Sequence, residues 1–201
     1  MLGRRERKKL ETHRALATAA RELALAKGLD GVTVEDIADA ADVSVRTFFN
    51  YFSCKEEALV GIDPGVLEEL EEALRDRPEG EPPLEALRAV LVSGVGGVEC
   101  AVRRWSLRTE LVGRHPALLP RHLAALAEIE AALVAALAAR LRTDPARDAF
   151  PAVAVAAAMG VMRAAVAWWE DNGRPGSLES AVDAAFSRLA AGLPVPSGRR
   201  R

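Results

Sequence analysis

The sequence predicts an all-α fold in which an N-terminal three-helix helix-turn-helix domain precedes a larger helical domain. Three observations predict it. Apolar residues recur three and four apart along most of the 201 residues, and no segment alternates convincingly as a strand would. The stretch TVEDIADAADVSVRTFFNYFSCK, Thr33 to Lys55, reads as two short helices with a tight turn between them. Half of the chain is hydrophobic, which suits a globular protein with a substantial core, and no internal repeat is visible.

Met1 to Glu6 are expected to form a flexible arm. GRRERKK sets Arg4, Arg5, Arg7, Lys8 and Lys9 against Glu6 alone, which fits a phosphate contact and an ordinary solvated terminus equally well. From Arg7 to Lys27 a helix is expected, with Leu16, Ala19, Ala20, Leu23 and Ala24 as its apolar stripe and Gly28 as its end. Thr33 can cap the next helix, whose inner positions are Val34, Ile37, Ala38 and Ala41, and Glu35 and Asp36 suit its positive end. Asp42 and Val43 form the turn.

Ser44 can cap the third helix. Helical spacing places Val45, Phe48, Phe49 and Phe52 on its inner face and Arg46, Thr47, Asn50 and Tyr51 on the opposite one. A guanidinium, a hydroxyl, an amide and a phenol on a helix about 10 Å long suit a DNA major groove about 12 Å wide. Ser53 and Glu56 are placed as a capping box for the following helix, with Lys55 beside its free N–H groups as a phosphate contact.

These residues resemble the DNA-binding domain of the TetR family of bacterial repressors. The likeness covers roughly Arg7 to Val60 and rests on the helix ending AKGLDGVTV, on DIADAADVSVRTFFNYF and on SCKEEAL. It implies a double-stranded operator contacted by Thr33, Ser44, Val45, Arg46, Thr47, Asn50, Tyr51 and Lys55. The family usually carries tyrosine where this chain has Phe49, and that phenol commonly touches the DNA backbone. Phe49 has no donor, so Tyr51 is expected to supply a phosphate contact instead. The resemblance further implies a homodimer joined through the last two long helices, and a pocket among the middle helices for a small effector. The segment RRWSLRTELVGRHP is loosely similar to actinobacterial, mycofactocin-associated regulators of this family, some of which answer to acyl-CoA thioesters.

Beyond the head, Asp63 and Pro64 start a helix with Val66, Leu67, Leu70 and Leu74 inward, and RPEGEPP, Arg77 to Pro83, is the expected seam. The predicted division is therefore 1–62 for DNA binding, 63–83 as a linking helix and seam, 84–193 for ligand binding and dimerisation, and 194–201 as a disordered tail. Leu84, Leu87, Leu91 and Val92 mark a helix expected to end or distort at Gly94, Gly96 and Gly97. Pro116 and Pro120 bracket a turn, after which Leu123, Leu126, Ile129, Leu133, Leu137 and Leu141 trace a long helix. Ala149 to Trp169 is almost wholly apolar. Its alanines and Arg163, which would cost about 2.5 to 3.5 kcal/mol in a bilayer, favour a central or interface helix over a membrane span. The last helix turns Leu178, Val182, Ala185, Phe186 and Leu189 inward. Ligand-lining candidates are Trp105, Arg104, Arg108, Met159, Met162 and Trp168. Arg104 and Arg108 can anchor an anion or equally pair with Glu99, Glu110 or solvent.

No enzyme is legible. His13, His115 and His122 lack partners at ligand spacing and read as surface or hinge residues, so neither metal nor cofactor is expected. GVGGV follows no strand and lacks a P-loop lysine. Cys54 reads better as a filler of a first helical turn than as a redox switch, and two cysteines with a charged N-terminus fit a cytoplasmic protein. The expected function is a ligand-responsive repressor released from a palindromic operator. The alternative is a helical dimeric module that binds a small molecule or a protein and carries a vestigial DNA-binding head.

Overall fold

The computed structural model describes residues 4–93 and 110–193, and among these every regular element is helical. The expectations for Gly94, Gly96, Gly97, Arg104, Trp105, Arg108 and the 194–201 tail lie outside them. Two compact units divide the chain, residues 1–68 with 103–129 and residues 69–102 with 130–201.

The first unit is built on α1 (Arg4–Lys27), which starts earlier than expected, so that residues 4–6 are helical rather than part of an arm. Leu16, Ala17, Ala20 and Ala24 line its buried side. Gly28, at φ +75°, ends it, a left-handed conformation that costs glycine nothing. α2 (Val34–Ala40), α3 (Val45–Phe49) and α4 (Lys55–Val60) fold against α1. Ile37, Phe48, Phe52, Leu59 and Val60 make one core with Leu16, Leu111 and Leu118. α5 (Pro64–Arg75) follows, its first free N–H groups met by Asp63: the side chain accepts from Gly65 N at 3.0 Å and the carbonyl from Val66 N at 2.8 Å.

In the second unit, α6 (Pro83–Ser93), α8 (Phe150–Asp171) and α9 (Leu178–Ala190) pack on one another around Leu87, Val90, Val155, Ala158, Val166, Val182 and Phe186. α7 (Leu119–Leu141), preceded by a 3₁₀ turn at Pro116–Leu118, contributes residues to both units. Its Arg140 donates to the carbonyls of Arg77, at 2.6 Å, and of Pro78, which satisfies backbone that the breaker stretch leaves without helical partners.

One register in α7 differs from expectation. Its inner stripe runs His122, Ala125, Leu133 and Leu137, continuing from Leu118 of the preceding turn, so Leu123 falls to one side and is exposed while His122 is buried. α8 is apolar on both faces, as its composition implies. Val155, Ala158, Ala165 and Val166 are buried, while Phe150, Val153 and Trp168 are exposed, Val153 by 63%. α7 together with its preceding turn, and α8, are long and apolar enough to cross a membrane by length and composition. Arg163 lies exposed on α8.

Candidate nucleic-acid interface

Local hydrogen bonds fix the helix pair before any core contact is counted. Thr33 and Asp36 close a full capping box, Asp36 N donating to Thr33 Oγ1 at 3.1 Å and Thr33 N to Asp36 Oδ2 at 3.0 Å. The Thr33 N–H and then its hydroxyl hold the Asp36 carboxyl below the usual carboxylate range, and Lys27 adds to this. At the other end of α2, Val43 N donates to Ala38 O and Asp42 N to Asp39 O, the two bonds of a Schellman motif, with Asp42 left-handed at φ 53°. Ser44 then caps α3, accepting from Thr47 N at 3.0 Å and sharing a 2.8 Å hydrogen bond with the Thr47 hydroxyl.

The outward face of α3 carries Arg46 and Asn50, both exposed, beside the Ser44–Thr47 hydroxyl pair, while Val45 is half-buried against the core. Phe48 and Phe52 lie behind, 5.5 Å apart, and aim that face.

Two aromatic residues depart from their expected sides. Phe49 is 55% exposed, although it was expected to be inward. At 100° per residue it stands a quarter-turn from Phe48, and in so short a helix Val45, Phe48 and Phe52 already fill the inner face. Tyr51, expected outward, is half-buried against the core, its ring edge-on to His13 at 6.3 Å. Asn50 N bonds Thr47 O and Tyr51 N bonds Phe48 O, so the chain tightens to three residues per turn after Phe49.

Lys55 is also turned inward. Its ammonium donates to Leu29 O at 2.9 Å and Val32 O at 2.8 Å, tying α4 to the loop after α1 instead of standing ready for a phosphate. The expected Ser53–Glu56 capping box is absent. α4 begins at Lys55 with Cys54 as an N-cap that makes no side-chain bond. Ser53 is thus one residue further out and reaches Glu57, whose Oε2 accepts from both Ser53 N and Ser53 Oγ at 2.6 Å. Burial pushes the Glu57 carboxyl up, but these hydrogen bonds, with Arg121 and His13, leave it lowered. Arg121 of α7 completes the cluster, 3.2 Å from Ser53 Oγ and 3.6 Å from Glu57 Oε2.

Sequence reasoning missed His13. Far from being a surface histidine, it is 8% exposed, packs at a tilt of 43° against Phe52 with 4.4 Å between ring centroids, and has a buried Nδ1 without a hydrogen-bond partner. It lies on the helix stripe three residues before Leu16, which is the signal that could have found it. Of the ligand-lining candidates that are described, Met159 and Met162 are half-buried on α8, and Trp168 is 54% exposed. Among the described residues no group of three or more His, Cys, Asp or Glu side chains could hold a metal ion.

A capped helix pair with a polar outward face, followed by a helical domain, defines a helix-turn-helix protein of the two-part, all-α kind. Residues 16–60 match the family described as bacterial regulatory proteins, tetR family, and residues 81–194 match the MftR C-terminal domain. The HTH-type transcriptional regulator TcmR of Streptomyces glaucescens is 36% identical over 175 residues, covering 83% of this chain and 76% of TcmR. The chain belongs to the TetR family of transcriptional regulators. Its fold is similar to that of Thermus thermophilus FadR, solved with lauroyl-CoA (TM-score 0.53, 24% identity, 94% of this chain and 98% of that one). It is likewise similar to a transcriptional regulator from Rhodococcus sp. Rha1 (TM-score 0.51, 23% identity, 92% and 99%).

Proposed function

We propose that this regulator is a cytoplasmic repressor that binds a palindromic operator as a homodimer and leaves it when a small molecule binds. The observation that carries the reading is the outward face of α3, where Arg46 and Asn50 stand exposed beside the tied Ser44 and Thr47 hydroxyls on a helix aimed by Phe48 and Phe52. Arg46 is the residue suited to a guanine edge, and Asn50 to an adenine. On this reading residues 1–62 bind DNA, 63–83 join the parts, and 84–193 hold the effector site and the dimer contact. The exposed apolar stripe of α8, with Phe150, Val153 and Trp168, is the proposed dimer face. Met159 and Met162 are the proposed effector contacts among the described residues. Lauroyl-CoA, held by the Thermus neighbour, is the first effector to try.

The test is to sequence the DNA selected by the purified full-length protein. A pseudo-palindrome with half-sites about 34 to 36 Å apart, or a multiple of that, is expected. Arg46→Ala should relax preference at one position per half-site, at a cost of about 1 to 3 kcal/mol. Selection of no sequence at all would leave a helical small-molecule or protein-binding module as the answer.

A further inference from the structure

A single exposed apolar side chain on a protein surface means little by itself. Phe49 differs in its position. It closes α3 beside Arg46 and Val45, its neighbours at three and four residues, and so belongs to the surface that carries Arg46 and Asn50. It is also held. Its ring meets the fully buried Phe48 at 5.5 Å and 90°, an edge-to-face contact that anchors it while leaving 55% of the residue exposed.

We propose that Phe49 is a specificity-determining residue that reads thymine through its C5-methyl group. The inference rests on the operator reading above. A phenyl ring has no donor for a phosphate oxygen and no polar atom for the hydrogen-bonding edges of the bases. In the major groove the one apolar feature a base pair presents is the thymine methyl. A ring carried to that groove on the same face as Arg46 therefore selects a thymine next to the base that Arg46 contacts. The discrimination comes from burying a methyl group against an aromatic surface, not from a hydrogen bond. Arg46 and Asn50 supply polar readout, and Phe49 supplies the apolar part.

The experiment uses the full-length protein and the operator it selects. Each thymine of the half-site is replaced in turn by uracil, which removes only the methyl group, and Kd is measured for the wild type, Phe49→Ala and Phe49→Leu. Uracil at one thymine per half-site should weaken wild-type binding about fourfold for each methyl lost, the value of one buried methyl-sized group. Phe49→Ala should bind the thymine operator that much more weakly and be indifferent to the uracil. Phe49→Leu, still apolar, should keep part of the discrimination. Because Phe49 is largely exposed, Phe49→Ala should melt with the wild type, which separates a lost contact from a lost fold.

A uracil penalty equal in wild type and Phe49→Ala would overturn the inference and leave the operator reading intact. So would a Phe49→Ala loss that is uniform across all sequences, which would place the ring against the sugar-phosphate backbone. A Phe49→Ala variant whose oligomeric state changes while its base preference does not would show the ring to be a protein contact. Selection of no sequence by the wild type would remove both readings together.

Discussion

His13 shows how one residue sets a property of the whole head. Burial against Phe52 lowers its pKa, Asp63 and Glu57 oppose that effect, and Arg21 and Arg14 add to it. Tyr51 also faces the ring, edge-on. With the folded value below 6.5, the unfolded chain binds the proton more readily, so stability is highest above pH 6.5. It declines as pH falls from 6.5 towards the folded value, below which this group has no further effect. Urea midpoints between pH 5 and 8 should fall on the acid side, and His13→Phe should flatten that part of the profile. An unchanged slope in the variant would assign the acid loss elsewhere. Lys55 makes a second case. Its ammonium serves two backbone carbonyls, so Lys55→Ala should cost about 1 to 3 kcal/mol of stability in urea while leaving the salt slope of DNA binding as it was. A flattened slope with unchanged stability would return Lys55 to the phosphate.

At the scale of an element, the turn between α2 and α3 carries strain that can be measured. Asp42 takes the left-handed position of a Schellman motif, where glycine is the usual residue, and Val43 follows it to pack on the core. Asp42→Gly should therefore be neutral or stabilising by up to about 1 kcal/mol, despite the greater freedom glycine gives the unfolded chain. A clear loss in thermal or urea unfolding would show that the Asp42 side chain holds the turn. α3 itself has only five residues and would not persist alone. It is held by the Ser44 cap at its start and by Phe48 and Phe52 beneath it. Alanine at Phe48 should thus cost far more than alanine at Phe49.

At the scale of the molecule, α8 exposes apolar surface that one chain leaves uncovered. Val153→Glu should leave the monomer folded, since the residue is on the surface, yet break the proposed dimer by about 3 to 5 kcal/mol by placing an unpaired charge in its interface. Sedimentation of the variant should give monomers, and operator affinity should fall with the loss of two linked half-site contacts. A Val153→Glu protein that remains dimeric would place the interface on another surface.

Periodicity and caps by themselves determined the all-α class, the helix pair with its Thr33 and Ser44 caps, the Asp63–Pro64 start of α5 and the inner stripe of α9. These are decided within a turn or two of chain, where the hydrogen bonds and the 3.6-residue repeat are local. His13 was legible there too, as a member of the α1 stripe, but the sides taken by Phe49, Tyr51 and Lys55 were not. Phe49 and Tyr51 depend on where α3 ends, and Lys55 on what another segment brings. α3 gives way to tighter three-residue bonding at Asn50, and the loop after α1 presents carbonyls to Lys55. A helical wheel assumes an unbroken helix and an inner face of unlimited width. Only tertiary packing shows where the helix stops and how many side chains the core admits.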